Sequence, residues 1–243
     1  MKNTIKKIIL ISVSILGSSF TSYAVGEGYN TNKFYISAEG GYAKPIKKSF
    51  KDKDSGAIGI MKGSEAYEGK IGYRFHENMA IEIAYSHRQK YGLKLTVPDK
   101  GPVTNINGTT KVKSSIVMLD LVYFAQSNNR ITPYFLVGLG YARVTPQTSP
   151  IYGDIIPIGM THEKIGNIVK FTTERLAYRI GAGIEVGMTN NLALTLGGKI
   201  EVVNHIALHT RFKDPLTNQE NDAKPIKKTI GIGEITAGLK FSF

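Results

Sequence analysis

Cysteine is absent from this 243-residue chain, which excludes disulfides, thiol nucleophiles and cysteine-ligated metal sites. Long helical periodicity is also absent beyond residue 33, and the apolar run Ile8–Gly17 is too short to cross a bilayer comfortably as a helix. Packing and backbone pairing must therefore hold the fold together. Negative charge is scarce as well: the formal net charge of +12 would usually indicate a nucleic acid or an anionic surface as partner.

The N-terminal residues indicate the compartment. Three lysines among the first seven residues precede the apolar run, and the small-residue sequence Ser22–Ala24 follows it. This layout is typical of a secretory signal peptide. We therefore expect residues 1–24 to be a signal peptide and residues 25–243 to form an exported domain, which argues against DNA or RNA as a partner despite the charge.

Segments of about ten residues in the mature chain alternate apolar with polar or small residues, the period-two pattern of β-strands. In Glu65–Phe75, for example, Tyr67 and Ile71 lie on one face while Glu68 and Lys70 lie on the other. Eight such strands are predicted, at Lys33–Tyr42, Glu65–Phe75, Ala80–Arg88, Ser114–Phe124, Thr132–Arg143, Arg175–Gly187, Asn191–Val203 and Thr229–Phe243.

The connections between these strands alternate between short and long. Short turns at one end, long loops at the other and an even strand count are typical of an outer-membrane β-barrel. We predict an all-β fold, an eight-stranded antiparallel up-and-down transmembrane barrel in the bacterial outer membrane, with four long extracellular loops. The loops are expected at about residues 44–63, 89–113, 144–174 and 204–228.

A soluble β-sandwich also alternates, but aromatic residues at the strand ends favour the barrel, because two aromatic girdles mark the membrane interfaces. The chain also ends on a strand closed by Phe243, which resembles the signal read by the outer-membrane assembly machinery. The girdle on the short-turn side is predicted to contain Phe34, Phe75, Tyr123, Phe135 and Phe241, and the other Tyr42, Tyr67, Tyr85, Tyr141 and Tyr178.

The inward face of the predicted strands carries charges of both signs. An eight-stranded lumen is just wide enough for side chains, and buried charges must be paired or solvated. An ion-paired plug is therefore expected rather than a pore lined by one sign, although a small porin or structural barrel stays as the alternative. The predicted lumenal charges are Glu39, Glu68, Lys70, Arg74, Glu82, Asp120, Arg179, Glu185, Lys199, Glu201, Glu234 and Lys240.

Few residue combinations suggest catalysis or metal binding. Ser86 and His87 are predicted near the outer rim, where lipid-modifying and proteolytic outer-membrane enzymes place such groups, but no carboxylate partner can be named. His205 and His209 have a spacing that suits metal ligands on a helix, which nothing else predicts. We expect no enzymatic activity, metal or cofactor; a lipid-modifying enzyme is the second alternative.

Counted with the residues that border them, as segments 44–63, 88–113, 143–175 and 205–228, the four long loops together carry a net charge of +12. The pentapeptide KPIKK occurs in two of them, and because the first and last strands of a closed barrel pair, we expect the two copies to be neighbours. They predict a basic patch that attracts acidic groups of a host protein, a sulfated glycan or lipopolysaccharide phosphates. A second interpretation is that these lysines only solubilise the loops or bind the protein's own anionic membrane leaflet. The patch comprises Lys44, Lys47, Lys48, Lys224, Lys227 and Lys228.

The third loop, SPIYGDIIPIGM, is unusually apolar for an exposed segment. It is predicted either to form an adhesive surface or to fold back over the rim. The candidate contact residues are Ile151, Tyr152, Ile155, Ile156 and Ile158.

The segments Gly138–Val144 and Gly181–Glu201 and the closing ITAGLKFSF, together with the signal peptide, resemble the eight-stranded Opa-like and OmpX-like surface barrels. The resemblance is strongest to the rickettsial Adr surface adhesins and covers essentially the whole mature chain. It implies attachment to host cells and capture of the serum protein vitronectin, with resistance to complement as the consequence. The function expected from the sequence is therefore a surface adhesin whose loops bind host ligands.

Overall fold

The computed structural model describes residues 34–51, 56–99, 103–125, 130–155, 160–213, 219–222 and 225–243, so the expected signal peptide lies outside the described residues. Within them, no helix is long and apolar enough to cross a membrane. The strands are β1 (Phe34–Pro45), β2 (Ser49–Lys51), β3 (Ile58–Met61), β4 (Ser64–His76), β5 (Met79–Thr96), β6 (Val103–Phe124), β7 (Ile131–Pro146), β8 (Ser149–Ile155), β9 (Met160–Val169), β10 (Thr173–Gly187), β11 (Leu192–Lys213), β12 (Glu220–Asp222) and β13 (Ile226–Ser242).

Eight of these strands form a closed antiparallel ring. β1 pairs with β4, and the pairing continues through β5, β6, β7, β10, β11 and β13. β13 returns to β1, with partners from Tyr35↔Ser242 to Pro45↔Ile232. The ring is the predicted up-and-down barrel, and each predicted strand corresponds to one of its members.

The other five strands extend the wall at the end that has the long connections, called here the distal end. β3 pairs with the outer part of β5, and β2 pairs with β3. β8 and β9 form a hairpin that joins the outer part of β6 to the outer part of β11, and β12 adds to β11. Much of what the sequence indicated as loop is therefore strand, and β6 and β11 each reach 22 residues, against the roughly 9–11 that cross a bilayer.

The outer wall of the ring is apolar. Ile71, Ile83, Leu139 and Ile235 each have 60% or more of their surface exposed on it, which is favourable only where lipid covers them. The predicted girdle residues border this belt on the outer face. Except for the half-buried Tyr123, all of them are exposed.

The interior has two layers. In the ring, polar and charged side chains fill the lumen. In the distal extension the inward positions are apolar, for example Tyr91, Leu93 and Leu95 on β5. These side chains belong to one hydrophobic cluster that also includes Val112, Ile151, Ile165, Ile168, Val203, Ile206, Ile226 and Ile232. The extension therefore has a hydrophobic core of its own, which stabilises strands that lie beyond the apolar belt.

Candidate ligand-binding end of the barrel

The lumen of the ring contains an ion-pair network centred on Arg179 of β10. Its guanidinium donates to both carboxylate oxygens of Asp120 on β6, with Nε at 2.8 Å from Oδ1, and lies 2.6 Å from Glu68 on β4. The guanidinium and the two carboxylates are fully buried, so neighbouring charges rather than water compensate each of them. The network links three strands across the barrel and fills its centre.

Lysines complete the network. Lys199 Nζ lies 2.7 Å from Glu68 and 3.1 Å from Glu234, and Lys240 donates to Glu185 at 2.6 Å. Eleven of the twelve predicted lumenal charges are buried. The twelfth, Arg74, is partly buried and lies 4.2 Å from the ring centroid of the buried Phe124. The expected ion-paired plug is therefore present.

Arg88 is a further lumenal charge, although it is the first residue of segment 88–113, whose charge is assigned to the second loop in the count above. Its side chain is fully buried at the top of the polar layer, 2.7 Å from Glu234 and in contact with Glu201. The alternation of β5 contained the signal, since Glu82 and Ser86 are also inward-facing residues at even positions. One positive charge assigned to the rim thus belongs to the lumen.

Ser86 and His87 do not form a catalytic pair. As neighbours in a strand they face opposite sides of the wall: Ser86 is buried and donates to Glu68, whereas His87 contacts Ser115 at 3.0 Å on the outside. His205 lies in a β-bulge of β11 with a φ of 48°. The ring of His209 packs against Phe171, with centroids 4.1 Å apart.

A small cavity of about 30 Å³ lies in the distal core. Its lining is almost entirely apolar and comes from seven of the strands, including β2 and β13. Phe50 of β2 and Ile230 of β13 both contribute to it, together with Lys228. The cavity thus lies where β2 and β13 approach each other inside the extension.

The two KPIKK segments lie at the distal end but are offset along the wall. Lys44 is opposite Gly233, whereas Lys227 pairs with Ala207 further out on β11. Gly233 and Lys227 are six positions apart, or about 20 Å along a strand. Lys44 and Lys227 are exposed on the outer surface and Lys228 lines the cavity. Lys47 and Lys48 are also exposed, and Lys224 lies outside the described residues.

The apolar third segment forms the β8–β9 hairpin rather than an open loop. Ile151 is fully buried and belongs to the distal core, so the expectation that it offers contact surface is corrected. Tyr152 is half-buried. Nothing is described of the Ile155 side chain, and Ile156 and Ile158 lie outside the described residues.

Comparison with known proteins agrees with this architecture. A family model described as outer membrane protein beta-barrel domain matches residues 10–243. Uncharacterized protein RP788 of Rickettsia prowazekii (strain Madrid E) is 24% identical over 180 residues, which cover 72% of this chain and 97% of that protein. The outer membrane protein OprG from Pseudomonas aeruginosa gives a TM-score of 0.51 at 13% identity and covers 89% of this chain and 98% of its own.

Neisserial surface protein A gives a TM-score of 0.49 at 14% identity, with 86% of this chain and 97% of its own covered. At 13% identity, the match to OprG indicates the fold alone.

Proposed function

Because the chain belongs to the outer membrane protein beta-barrel domain family, we propose that it is an outer-membrane surface adhesin of the rickettsial Adr type. In this proposal the distal end faces the outside of the cell. It binds host cells and a host serum protein such as vitronectin, with sulfated glycans or lipopolysaccharide as further anionic partners. Capture of such a serum protein would help the cell resist complement.

The observation that carries the proposal is the sorting of charge. Acidic and basic side chains are paired inside the ring, whereas the described outer surface of the distal end is rich in unburied lysine. A surface with a clear excess of positive charge accelerates the encounter with acidic partners and gives binding that weakens with salt. The exposed lysines are Lys44, Lys47, Lys48, Lys51, Lys62, Lys94, Lys111, Lys113, Lys164, Lys170 and Lys227.

Two features of the interior favour an adhesin over the alternatives. The ion pairs of Arg179 with Glu68 and Asp120 place fully buried side chains of both charge signs in the lumen, an arrangement that favours a plug over a porin. The separation of Ser86 from His87 across the wall removes the nucleophile and base considered for a lipid-modifying enzyme. The rigid barrel is then a support, and its distal surface provides the contacts.

Binding of the refolded mature chain to immobilised vitronectin and heparin tests the proposal. We expect saturable binding that weakens from about 0.05 to 0.5 M salt, a range over which the Debye length falls severalfold. A variant with glutamine at Lys44, Lys47, Lys48, Lys224, Lys227 and Lys228 should bind more weakly and with a shallower salt dependence. Absence of binding to both ligands at every salt concentration would contradict the adhesin function.

A further inference from the structure

The first and last strands of the ring separate at Ile46. Its backbone N–H donates to the carbonyl of Gly231 at 2.9 Å, and the chain then bends at residues 46–48. From that point β2 pairs with β3 instead, and the Met61 N–H donates to the carbonyl of Lys48 at 2.8 Å. β13 continues outward beside β11 alone, so the wall divides between β2 and β13.

Both sides of this division present backbone groups. In an antiparallel strand alternate residues direct their N–H and C=O groups to opposite neighbours. Because the Gly231 carbonyl accepts from Ile46, the backbone N–H and C=O groups of Lys227 and Thr229 also point away from β11 and towards β2. On β2, the backbone groups of Ser49 and Lys51 likewise point away from β3. No backbone hydrogen bond between the two edges occurs within the described part of the chain. We call this division, from Ser49–Lys51 to Lys227–Thr229, the seam.

The apolar cavity lies directly behind the seam. Phe50 lines it from the β2 side, and Ile230 and Ile232 line it from the β13 side. A strand placed in the seam would direct alternate side chains into this apolar space and the others to the outer surface. The inward positions of an inserted segment would therefore favour small apolar residues.

The outer surface along the seam is basic. Neither Lys44–Lys51 nor Pro225–Gly233 contains a carboxylate, and Lys44, Lys51 and Lys227 are exposed. Asp52 and Asp54 follow directly in sequence, outside the described residues. The outward positions of an inserted segment would therefore favour Asp and Glu through charge complementarity.

We propose that the seam is a strand-addition site for an extended segment of a host protein that alternates apolar and acidic residues. Backbone hydrogen bonds to both edges provide affinity, and the alternating side chains provide specificity, as in other strand-addition complexes. The two KPIKK copies border the seam, because Lys48 of the first copy directly precedes β2 and Lys227 of the second lies on the β13 edge. The inference rests on the proposed adhesin function for the source of the partner.

The test uses a synthetic eight-residue peptide of alternating valine and glutamate, titrated against the refolded mature chain in detergent. Its matched control is the same peptide with N-methyl groups on the valine amides, which removes backbone donors but keeps charge and side chains. We expect saturable binding of the unmodified peptide and at least about tenfold weaker binding of the control, the loss expected when two or more backbone hydrogen bonds are not formed. Equal binding of the two peptides would overturn the proposal.

The absence of cysteine permits a second test in one protein. In a variant with Ser49→Cys and Thr229→Cys, a short bis-maleimide linker bridges the seam. We expect the bridged protein to lose peptide binding and the unbridged variant to retain it. Peptide binding that survives the bridge would place the site elsewhere and overturn the proposal.

Vitronectin binding measured on the same preparations separates this proposal from the adhesin function. Binding of vitronectin without binding of the peptide overturns the seam and leaves the adhesin standing. Binding of the peptide without vitronectin supports the seam and contradicts vitronectin capture. Dimers that disappear when the seam is bridged would make a second copy of this chain the occupant and overturn the host-segment proposal.

Discussion

Arg88 and Glu234 form an ion pair of 2.7 Å inside the barrel although 146 positions separate them in the sequence. Arg88 lies on the third strand of the ring and Glu234 on the last, so the pair crosses the lumen. Glu201 on the seventh strand contacts the same guanidinium. The pair marks the boundary between the ion-paired lumen and the apolar distal core.

Replacement of Arg88 tests the importance of this boundary. Arg88→Met removes the guanidinium and leaves Glu201 and Glu234 partly uncompensated in a buried site, so the free energy of unfolding should fall by about 3–5 kcal/mol. Denaturant titration of the refolded barrel measures the change. The control is the exposed Lys113→Met, for which we expect a change below about 0.5 kcal/mol. An effect of Arg88→Met as small as that of the control would contradict the role assigned to the pair.

The filled lumen predicts low conductance. In planar bilayers the wild-type chain should show no sustained channel openings. The double variant Asp120→Ala/Arg179→Ala, which removes an ion pair at the centre of the plug, should conduct more. The exposed pair Arg143→Ala/Glu174→Ala is the control and should behave as wild type. Steady wild-type conductance unaffected by the central substitutions would favour the porin alternative.

Gly183 lies where the ring is packed too tightly for a larger side chain. A Cβ on Gly183 would lie 2.4 Å from the Leu196 carbonyl oxygen and 2.5 Å from the Tyr134 hydroxyl. Gly183→Ala should therefore destabilise the barrel by about 1–3 kcal/mol through overpacking. A Cβ on Gly69, in contrast, meets no atom within 4 Å. Gly69→Ala should leave the denaturation midpoint nearly unchanged, and equal midpoints for the two variants would refute the packing argument.

The pairing of β12 with β11 should depend on pH. Arg211 donates to Asp222 at 2.7 Å, and this hydrogen bond lowers the pKa of the Asp222 carboxyl. Because the folded pKa lies below the unfolded value of about 3.9, the stabilisation is complete above that value and is lost as pH falls through the folded pKa.

Hydrogen exchange at Arg211–Lys213, compared with Asp222→Asn at each pH, measures this effect. Protection should be greater in wild type near neutral pH, and the two proteins should converge as the pH falls through the lowered pKa of Asp222. A difference that does not change with pH would contradict the role of the carboxylate.

The ring could be predicted from the sequence because one face of each strand contacts lipid and the other the lumen, so the period of two is strongly imposed. Glu68, Asp120 and Arg179 were assigned inward for that reason. The partners of Arg179 could not be assigned, because the length and rotamer of a long side chain allow several pairings across a narrow lumen.

The distal extension was harder to predict because polar and turn-forming residues interrupt its alternation. Tyr91, Leu93 and Leu95 do alternate, but Lys90 and Lys94 between and beside them give the segment the composition of a loop. The bend at residues 46–48, which separates the first and last strands, has no simple periodic signal. Its position depends on the pairing of β2 with β3, which is a tertiary interaction rather than a local sequence pattern.

Adhesion of whole cells tests the proposed adhesin function directly. Bacteria with little intrinsic adhesion would display either the wild-type chain or the variant in which glutamine replaces the six lysines of the basic patch, at matched surface levels, with cells lacking the chain as control. Retention on vitronectin-coated surfaces is then measured. We expect strong retention with the wild-type chain and a loss of about tenfold with the variant, in line with several weakened charge contacts. Retention of cells displaying the wild-type chain no greater than that of cells without it would contradict the adhesin function.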